Sequence, residues 1–504
     1  MTLRRSPLLV YLSLAVAGGT LLLGGCRQNE DDALAVAVIG SGPLTLGDAL
    51  SPTANEPQAV LRMNLAQGLV RFDGAGQVEP GLAERWNVSD DGLSYIFRLA
   101  SGEWPDGRKI MARDVARILK RQIRAARPDR TRDAAGAVGD VVAMTDRVIE
   151  IRLNSPRPHL LELLAQPDFA LIREGVGSGP FLPRTLDATA KRATADTSPP
   201  PLRLTRVLHG VDGEASARED VTLQVLAARP AVTAFRNGKL DLVLGGSLGD
   251  LPVATRAKLP RGALRFDPAS GLLGFVPARR DGPLAEPDVR RLLSQAIDRN
   301  ALIAALDVPG LLPRATVLQA GLEGVSTPVQ PPWLASPLIE RSAALEREAL
   351  RLFGSSEPPT IVVVLPEGPG GDLLYARLSA DWRAIGVAVE RARPGVTPDL
   401  KWIDAVAPST SPAWFLRHFR CAQTPICVPD ADTLLESARA APDAAQRGAL
   451  LGQAAALIDE ATLFIPLTAP VRWSLVGDRA TGYQENRFNR HSLADLMRRT
   501  PRGF

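Results

Sequence analysis

The chain has 504 residues, with 59 lysine and arginine against 55 aspartate and glutamate residues and a net charge of +4. This length exceeds what one hydrophobic core usually organises, so at least two lobes are expected. Charges of both signs are spread along the whole chain, which indicates that no surface is built for nucleic acid.

The first 25 residues have the layout of a secretory signal. Arg4 and Arg5 precede an apolar run over residues 8–23, which is too short to be read as a spanning helix. The run ends in LGGC at 23–26. This motif resembles the bacterial lipobox, and the resemblance implies cleavage before Cys26 and a lipid anchor on that cysteine. The alternative is an ordinary anchor helix with an incidental cysteine, which the charged residues that follow at once disfavour.

No second apolar stretch of spanning length follows Cys26, so the rest of the chain is expected to be soluble and to face the periplasm. After lipidation of Cys26, Cys421 and Cys427 remain, and an even pair in an oxidising compartment favours a disulfide. The alternative is a metal site that adds His418, but no fourth ligand lies nearby in the sequence. We therefore predict neither a metal nor a cofactor.

The first half of the chain alternates between strand and helix patterns, which predicts a mixed sheet. In chain order, the predicted elements are a strand at 33–39, a helix at 57–69, a strand at 95–99, a helix beginning near Ala112, strands at 202–208 and 221–226, a short helix at 232–237 and a strand at 241–244. The basic run at 121–132 is interpreted as the solvated end of a helix, and the Pro- and Thr-rich stretch at 188–201 as a surface loop.

The second half is predicted to be an α/β lobe. A buried strand at 360–365, a helix capped by Asp372 and a strand at 387–389 form a βαβ unit, whose two strands must be parallel. Amphipathic helices at 289–303 and 443–458 bracket this unit.

Eight short motifs occur in an order that resembles family 5 of the bacterial extracellular solute-binding proteins, the dipeptide-, oligopeptide- and nickel-binding components of ABC importers. They are GLVRFD at 68–73, VEPGLAERW at 78–86, SDDGLSYIFRL at 89–99, WPDG at 104–107, ARDV at 112–115, GSGPF at 177–181, NGKLD at 237–241 and DVRRLLSQAIDR at 288–299. Each also has a plain structural explanation in turn glycines, core aromatics such as Phe97, or a helix end at Asp298 and Arg299. The motifs therefore indicate the fold directly, and they indicate the function only because the fold is shared with the family.

The resemblance implies a two-lobe α/β fold of the periplasmic-binding-protein type II, with mixed sheets, flanking helices and a hinge. The expected boundaries are lobe I at 26–270 with an inserted subdomain at roughly 50–170, lobe II at 271–470, and a return to lobe I at 471–504. A ligand bound between such lobes stabilises the closed member of an open and closed pair. We expect a monomer that delivers a peptide or other small solute to an inner-membrane permease and its ATPase.

The family's peptide binders hold the ligand's amino group with an acidic residue just after a strand that pairs with the ligand backbone. When residues 412–416 are placed on the family's pattern, Pro408 stands at the position of that acid. Asp404 is the only carboxylate nearby, and it fits only after a shift of register. A peptide bound without this ion pair and a non-peptide solute therefore both stay open.

The candidate ligand-binding residues come from this strand and from the scarce aromatic residues, which make up 5% of the chain. Aromatic rings suit the walls of ligand clefts, although each can also belong to a core. The candidates are Asp404, Ala405, Val406, Trp104, Trp402 and Trp414.

Two other functions compete with solute binding. Residues 245–249 spell G-x-S-x-G, which makes Ser247 a candidate hydrolase nucleophile, with His418 or His491 as the downstream histidine. The family pattern instead places these residues in the loop after the NGKLD strand, so we predict a protein without enzymatic activity. Signalling or chaperoning on the same fold is the other alternative, and the sequence does not separate it from transport.

Overall fold

The structure is a computed structural model that describes residues 33–48, 50, 53, 55–125, 136–184, 200–209, 215–354 and 359–496. The predicted signal peptide and Cys26 lie outside these residues, as does most of the predicted surface loop at 188–201. Within the described residues, no helix is long and apolar enough to cross a membrane.

The strands of the described residues are numbered in chain order. They are β1 Leu34–Ile39, β2 Val70–Phe72, β3 Val78–Pro80, β4 Ala83–Val88, β5 Ser94–Leu99, β6 Val138–Thr145, β7 Val148–Leu153, β8 Ile172–Arg173, β9 Val176–Gly177, β10 Leu182–Arg184, β11 Leu202–His209, β12 Ala215–Leu226, β13 Leu242–Ser247, β14 Leu264–Asp267, β15 Gly271–Pro277, β16 Thr360–Val363, β17 Ala388–Arg391, β18 Leu400–Val406, β19 Ile465–Pro466 and β20 Arg472–Val476.

The helices of the same residues are numbered likewise. They are α1 Glu56–Leu65, α2 Ala112–Ala125, α3 Leu160–Leu164, α4 Ala228–Arg236, α5 Leu251–Thr255, α6 Pro287–Gln295, α7 Arg299–Leu306, α8 Leu338–Phe353, α9 Pro369–Arg383, α10 Pro412–Leu416, α11 Pro429–Ala440, α12 Ala444–Glu460 and α13 Leu493–Leu496. Short 3-10 turns occur at Pro167–Phe169, Pro283–Ala285, Pro332–Leu334 and Arg417–Phe419.

The largest sheet has seven strands in the order β10-β11-β12-β1-β13-β20-β14. Its centre is parallel, because β1 pairs in parallel with both β12 and β13, while the outer pairs are antiparallel. The sequence of β1 is LAVAVI, and all but one of its residues are buried, as a central strand covered on both faces requires. The strand β20, near the C-terminal end of the described residues, lies between β13 and β14, and its first residue is Arg472.

A second sheet has the order β17-β16-β18-β15-β19. The strands β16 and β17 are parallel and are joined by α9, which confirms the predicted βαβ unit. The predicted cap at Asp372 is wrong, since the helix begins at Pro369 after Gly368, whose φ of 86° suits glycine. Trp382 of α9 is fully buried and donates its indole N–H to the Leu293 carbonyl at 3.0 Å.

The helix predicted at 289–303 is two helices, α6 and α7, so that prediction is wrong in its continuity. Asp298 has a non-helical backbone and accepts a hydrogen bond from the Ala301 N–H at 2.9 Å, which makes it the N-cap of α7. The apolar residues Leu292 and Leu302 on either side of the break are both buried. The hydrophobic periodicity of the sequence therefore continues across the break between α6 and α7, and only the capping residue Asp298 marks that break.

A separate antiparallel sheet of four strands, β4-β5-β7-β6, packs against α2. Its core contains Phe97, Val115, Leu119 and Ile149, each fully buried. This arrangement confirms the predicted placement of Phe97 in a core and of a helix beginning at Ala112.

Candidate functional site

A cavity of about 350 Å³ is lined by residues that are far apart in the sequence. One side is formed by the segment around α1 and by residues 166–168, and another side by the end of β18 and by α10. Arg472 and residues 489–490 complete the lining. Its volume is at the small end of the range for small-molecule sites, about 300–1,000 Å³.

Beyond Leu400, the strand β18 borders this cavity with an edge that no strand of the described residues covers. It pairs with β15 along its whole length, whereas β16 pairs with it only at Leu400. The Ala407 N–H donates to the Ser270 carbonyl at 2.8 Å, so odd-numbered residues direct their backbone groups towards β15. The backbone groups of Trp402, Asp404 and Val406 therefore face the other way. This edge is able to pair with an extended ligand backbone.

Three carboxylates line the cavity, and each already has a partner within the chain. The pairs are Glu56 with Arg490 at 3.1 Å, Asp168 with the Thr53 N–H at 2.7 Å, and Asp404 with Arg472 at 2.8 Å. A ligand amine would therefore have to compete with these partners for a carboxylate.

The Asp404–Arg472 ion pair is mostly shielded from solvent, with side-chain exposures of 16% and 13%. Burial, the largest single influence, would lower the pKa of the Arg472 guanidinium. The charge and hydrogen bond of Asp404, together with the charges of Glu56 and Asp267, outweigh burial and leave this pKa above its ordinary value. The pair links β18 of one sheet to β20 of the other. We infer that Asp404 acts mainly on Arg472.

Pro408, at the position of the expected acid, lines the cavity and cannot provide a charge. Its carbonyl accepts a hydrogen bond from Gln166 Nε2 at 2.7 Å, and Gln166 Oε1 accepts one from Arg490 Nε at 3.1 Å. Gln166 therefore connects opposite walls of the cavity, and it orients Arg490 as it does so.

The predicted ligand residues fall in three places. Asp404, Ala405, Val406 and Trp414 line the cavity. Trp402 lies on the same strand but packs edge-on against Phe275, with ring centroids 5.2 Å apart, and is not among the lining residues. Trp104 is 2% exposed in the core beside the four-stranded sheet, because its ring fills that core with the Arg173 guanidinium above it. The structure thus does not bring Trp104 to the cavity.

Sequence reasoning missed Arg472 and Arg490. Arg472 is the only charged residue between positions 461 and 477, and a lone charge in an apolar segment points to a buried partner. No comparable local signal marks Arg490, whose partners Glu56 and Gln166 lie more than 300 residues earlier in the sequence.

The two cysteines of the described residues form a disulfide. Cys421 and Cys427 have Cα atoms 5.0 Å apart, and the bridge closes a short loop before α11. No group of three or more histidine, cysteine or acidic side chains in the described residues is arranged to hold a metal ion. His418 instead donates its Nδ1–H to the Trp414 carbonyl at 2.8 Å.

Ser247, the candidate nucleophile, is the last residue of β13 and pairs with Arg472 of β20. Its carbonyl accepts the Trp473 indole N–H at 2.9 Å, and no hydrogen bond joins its hydroxyl to a histidine of the described residues. His491 binds Asp267 at 3.0 Å in a buried site and stacks on Tyr483. The geometry does not favour a hydrolase at Ser247.

Comparison with known proteins gives a consistent result. Residues 77–394 match the family described as bacterial extracellular solute-binding proteins, family 5 Middle. The probable di/tripeptide-binding protein 5 of Pseudomonas aeruginosa (strain UCBPP-PA14) is 27% identical over 485 residues, which cover 85% of this chain and 89% of that protein.

Solved structures resemble the whole fold. OppA of Haemophilus influenzae in complex with RPPGFSPFR has a TM-score of 0.74 at 16% identity and covers 92% of this chain and 99% of that one. The murein tripeptide binding protein MppA of Escherichia coli has a TM-score of 0.75 at 17% identity, with coverages of 92% and 98%. At such identities the likeness shows the fold alone.

The fold is that of a two-lobe periplasmic binding protein, which confirms the predicted α/β class. The family match extends over more than half of the chain, and the protein therefore belongs to family 5 of the bacterial extracellular solute-binding proteins. It is a substrate-binding protein of the family that serves ABC importers, as the ordered motifs predicted.

Proposed function

We propose that the protein captures a short peptide in the cavity beside β18 and presents it to the permease of an ABC importer. The observation that carries this proposal is the unpaired edge of β18, where the backbone groups of Asp404 and Val406 border a cavity of about 350 Å³. An extended peptide satisfies such an edge by forming main-chain hydrogen bonds, which do not depend on its side chains. The di/tripeptide-binding name of the Pseudomonas aeruginosa relative supports this ligand class.

The peptide's amino group is held without a dedicated carboxylate. Pro408 occupies the position of the expected acid, and the acids of the cavity are engaged by Arg472, Arg490 and Thr53. Backbone pairing therefore supplies most of the affinity, and the ion pairs hold the walls in place.

The lobes proposed to close over the ligand are 26–270 with 471–504 on one side and 271–470 on the other. The proposed receptor works without catalysis, because binding selects the closed arrangement of the lobes that a permease and its ATPase then recognise. It acts as a monomer, anchored by a lipid on Cys26 at the periplasmic face of the envelope. The lipobox at 23–26 and the family's extracellular character support this placement.

The test is a calorimetric titration of ligand-stripped protein with a tripeptide, its N-acetylated form and a form N-methylated at one backbone amide. Acetylation is expected to weaken binding by less than about fivefold, or roughly 1 kcal/mol, because no ion pair is lost. Removal of a backbone donor is expected to weaken binding by about tenfold, because a strand-edge hydrogen bond is lost.

Two outcomes would contradict the proposal. A loss of affinity on acetylation of about a hundredfold would show that a carboxylate holds the amine, with Asp404 as the first candidate. Failure of every di- and tripeptide tested to bind would remove peptides as the ligand class.

A further inference from the structure

A second, smaller cavity lies apart from β18 and is lined by an excess of positive charge. Its volume is about 90 Å³, and its walls come from residues 157–159 on one side and from Glu323 and residues 411–451 on the other. Five arginines line it, namely Arg157, Arg417, Arg420, Arg439 and Arg447, against the two acids Glu323 and Glu436.

Among the lining residues, these arginines outnumber the acids. Glu436 forms ion pairs with both Arg420 and Arg439. Glu323 lies 3.2 Å from His159 Nδ1. Neither Glu323 nor Asp443, whose charge acts against the lowering of the Arg447 pKa by burial, lies within ion-pair distance of the Arg447 guanidinium.

Arg447 is the least satisfied of the five. Its Nη2 donates to the Ala441 carbonyl at 3.2 Å, its buried Nε has no hydrogen-bond partner, and no carboxylate of the described residues lies within ion-pair distance. The Nε of Arg420, by contrast, faces Asp432 Oδ1 at 4.0 Å, so Arg420 already interacts with two carboxylates, Asp432 and Glu436. A buried donor without an acceptor costs about 1–3 kcal/mol, so an anion placed here gains free energy from the Arg447 donor.

The charges of two of these arginines also act on a neighbouring buried histidine. His159 lines the cavity, and burial together with the charges of Arg447 and Arg157 lowers the pKa of its imidazole to about 4. His159 is therefore neutral at physiological pH and is able to accept or donate a hydrogen bond. It contributes polarity to the wall without adding a further charge.

We propose that this cavity is an oxyanion site, which binds a carboxylate or phosphate group between residues 157–159 and residues 411–451. The planar guanidinium fork matches the paired oxygens of both groups. The volume holds about three water molecules, at roughly 30 Å³ each, which suits one such group and excludes a whole peptide. Arg157 Nη2 already donates to the Arg439 carbonyl at 3.2 Å across the two walls, so a bound oxyanion would strengthen an existing contact.

The site does not depend on the ligand proposed for the cavity beside β18, and its test is separate. Thermal unfolding of the stripped full-length protein is followed in sodium phosphate and in sodium chloride at equal ionic strength. We expect phosphate to raise the midpoint above that in chloride, and Arg447→Gln to weaken the phosphate effect by about tenfold, as the loss of a charged hydrogen bond predicts. Arg347→Gln, at an exposed arginine of α8, is the matched control and keeps the full effect.

Equal midpoints in phosphate and chloride would overturn the proposal, and so would a phosphate effect that Arg447→Gln leaves unchanged. A second arm identifies the source of the oxyanion by titrating a tripeptide in the presence and absence of phosphate. Competition supports the peptide's terminal carboxylate as the natural occupant, whereas unchanged peptide affinity together with a phosphate effect supports a free ion.

Discussion

Replacement of Asp404 with alanine is expected to lower the free energy of unfolding by about 2–3 kcal/mol, because it leaves the buried charge of Arg472 without its nearest partner. Glu56 and Asp267 are the next acids that act on Arg472, and they compensate only in part. The loss is measured by urea unfolding at pH 7. Peptide affinity, measured well below the unfolding midpoint, is expected to change little because the backbone edge of β18 is retained.

The double variant Asp404→Ala/Arg472→Met separates this explanation from simple loss of packing. Since it removes both charges, it should recover most of the stability lost in the single variant. Glu485→Ala is the control, since Glu485 forms an exposed ion pair with Arg265 at 2.6 Å and its loss should leave the unfolding midpoint unchanged. A single variant as stable as the wild type would show that the pair is not coupled in the folded protein.

Arg299→Leu is expected to have a larger effect, a loss of about 3–5 kcal/mol. Arg299 is 2% exposed, and its guanidinium donates to the Pro466 carbonyl at 2.8 Å, the Ser294 carbonyl at 2.7 Å and Ser294 Oγ at 3.0 Å. Leucine fills similar space but leaves these acceptors buried without donors. The hydrogen bonds also join the start of α7 to β19, so the change is expected to loosen the contact between them.

Arg299→Lys should recover part of this stability, because an ammonium group retains the charge but cannot donate all the hydrogen bonds of the planar guanidinium group. Arg291→Leu on α6 is the matched control, as Arg291 is exposed and pairs with Asp288 near the surface. Equal midpoints for Arg299→Leu and Arg291→Leu in thermal unfolding would contradict the role assigned to Arg299.

Local patterns in the sequence were sufficient for much of the fold. The βαβ unit of β16, α9 and β17 follows from one apolar run, one helical face and a glycine stop, all within about thirty residues. The break between α6 and α7 did not follow, because the apolar spacing continues through Asp298 and only the capping geometry shows where the first helix ends. Hydrophobic periodicity thus indicates which face of a helix is buried more reliably than it indicates whether the helix is continuous.

The sites depend on contacts that are distant in sequence, and they were accordingly harder to predict. The resemblance placed Asp404 and Val406 on a strand beside the ligand, but it could not indicate that Arg472 engages Asp404. Aromatic content alone could not separate Trp414, which lines a cavity, from Trp104, which fills a core. The arginine-lined cavity has no local signal at all, since its walls meet only in the folded chain.

The central claim, that a peptide binds along β18, is tested most directly by amide hydrogen exchange of residues 400–408 with and without a tripeptide. The amides of Trp402, Asp404 and Val406 face away from β15 and are expected to become protected when the peptide is added. The amides of Ile403 and Ala405, which already face β15, are expected to change little. A tripeptide that binds without slowing exchange at residues 402, 404 and 406 would contradict the account.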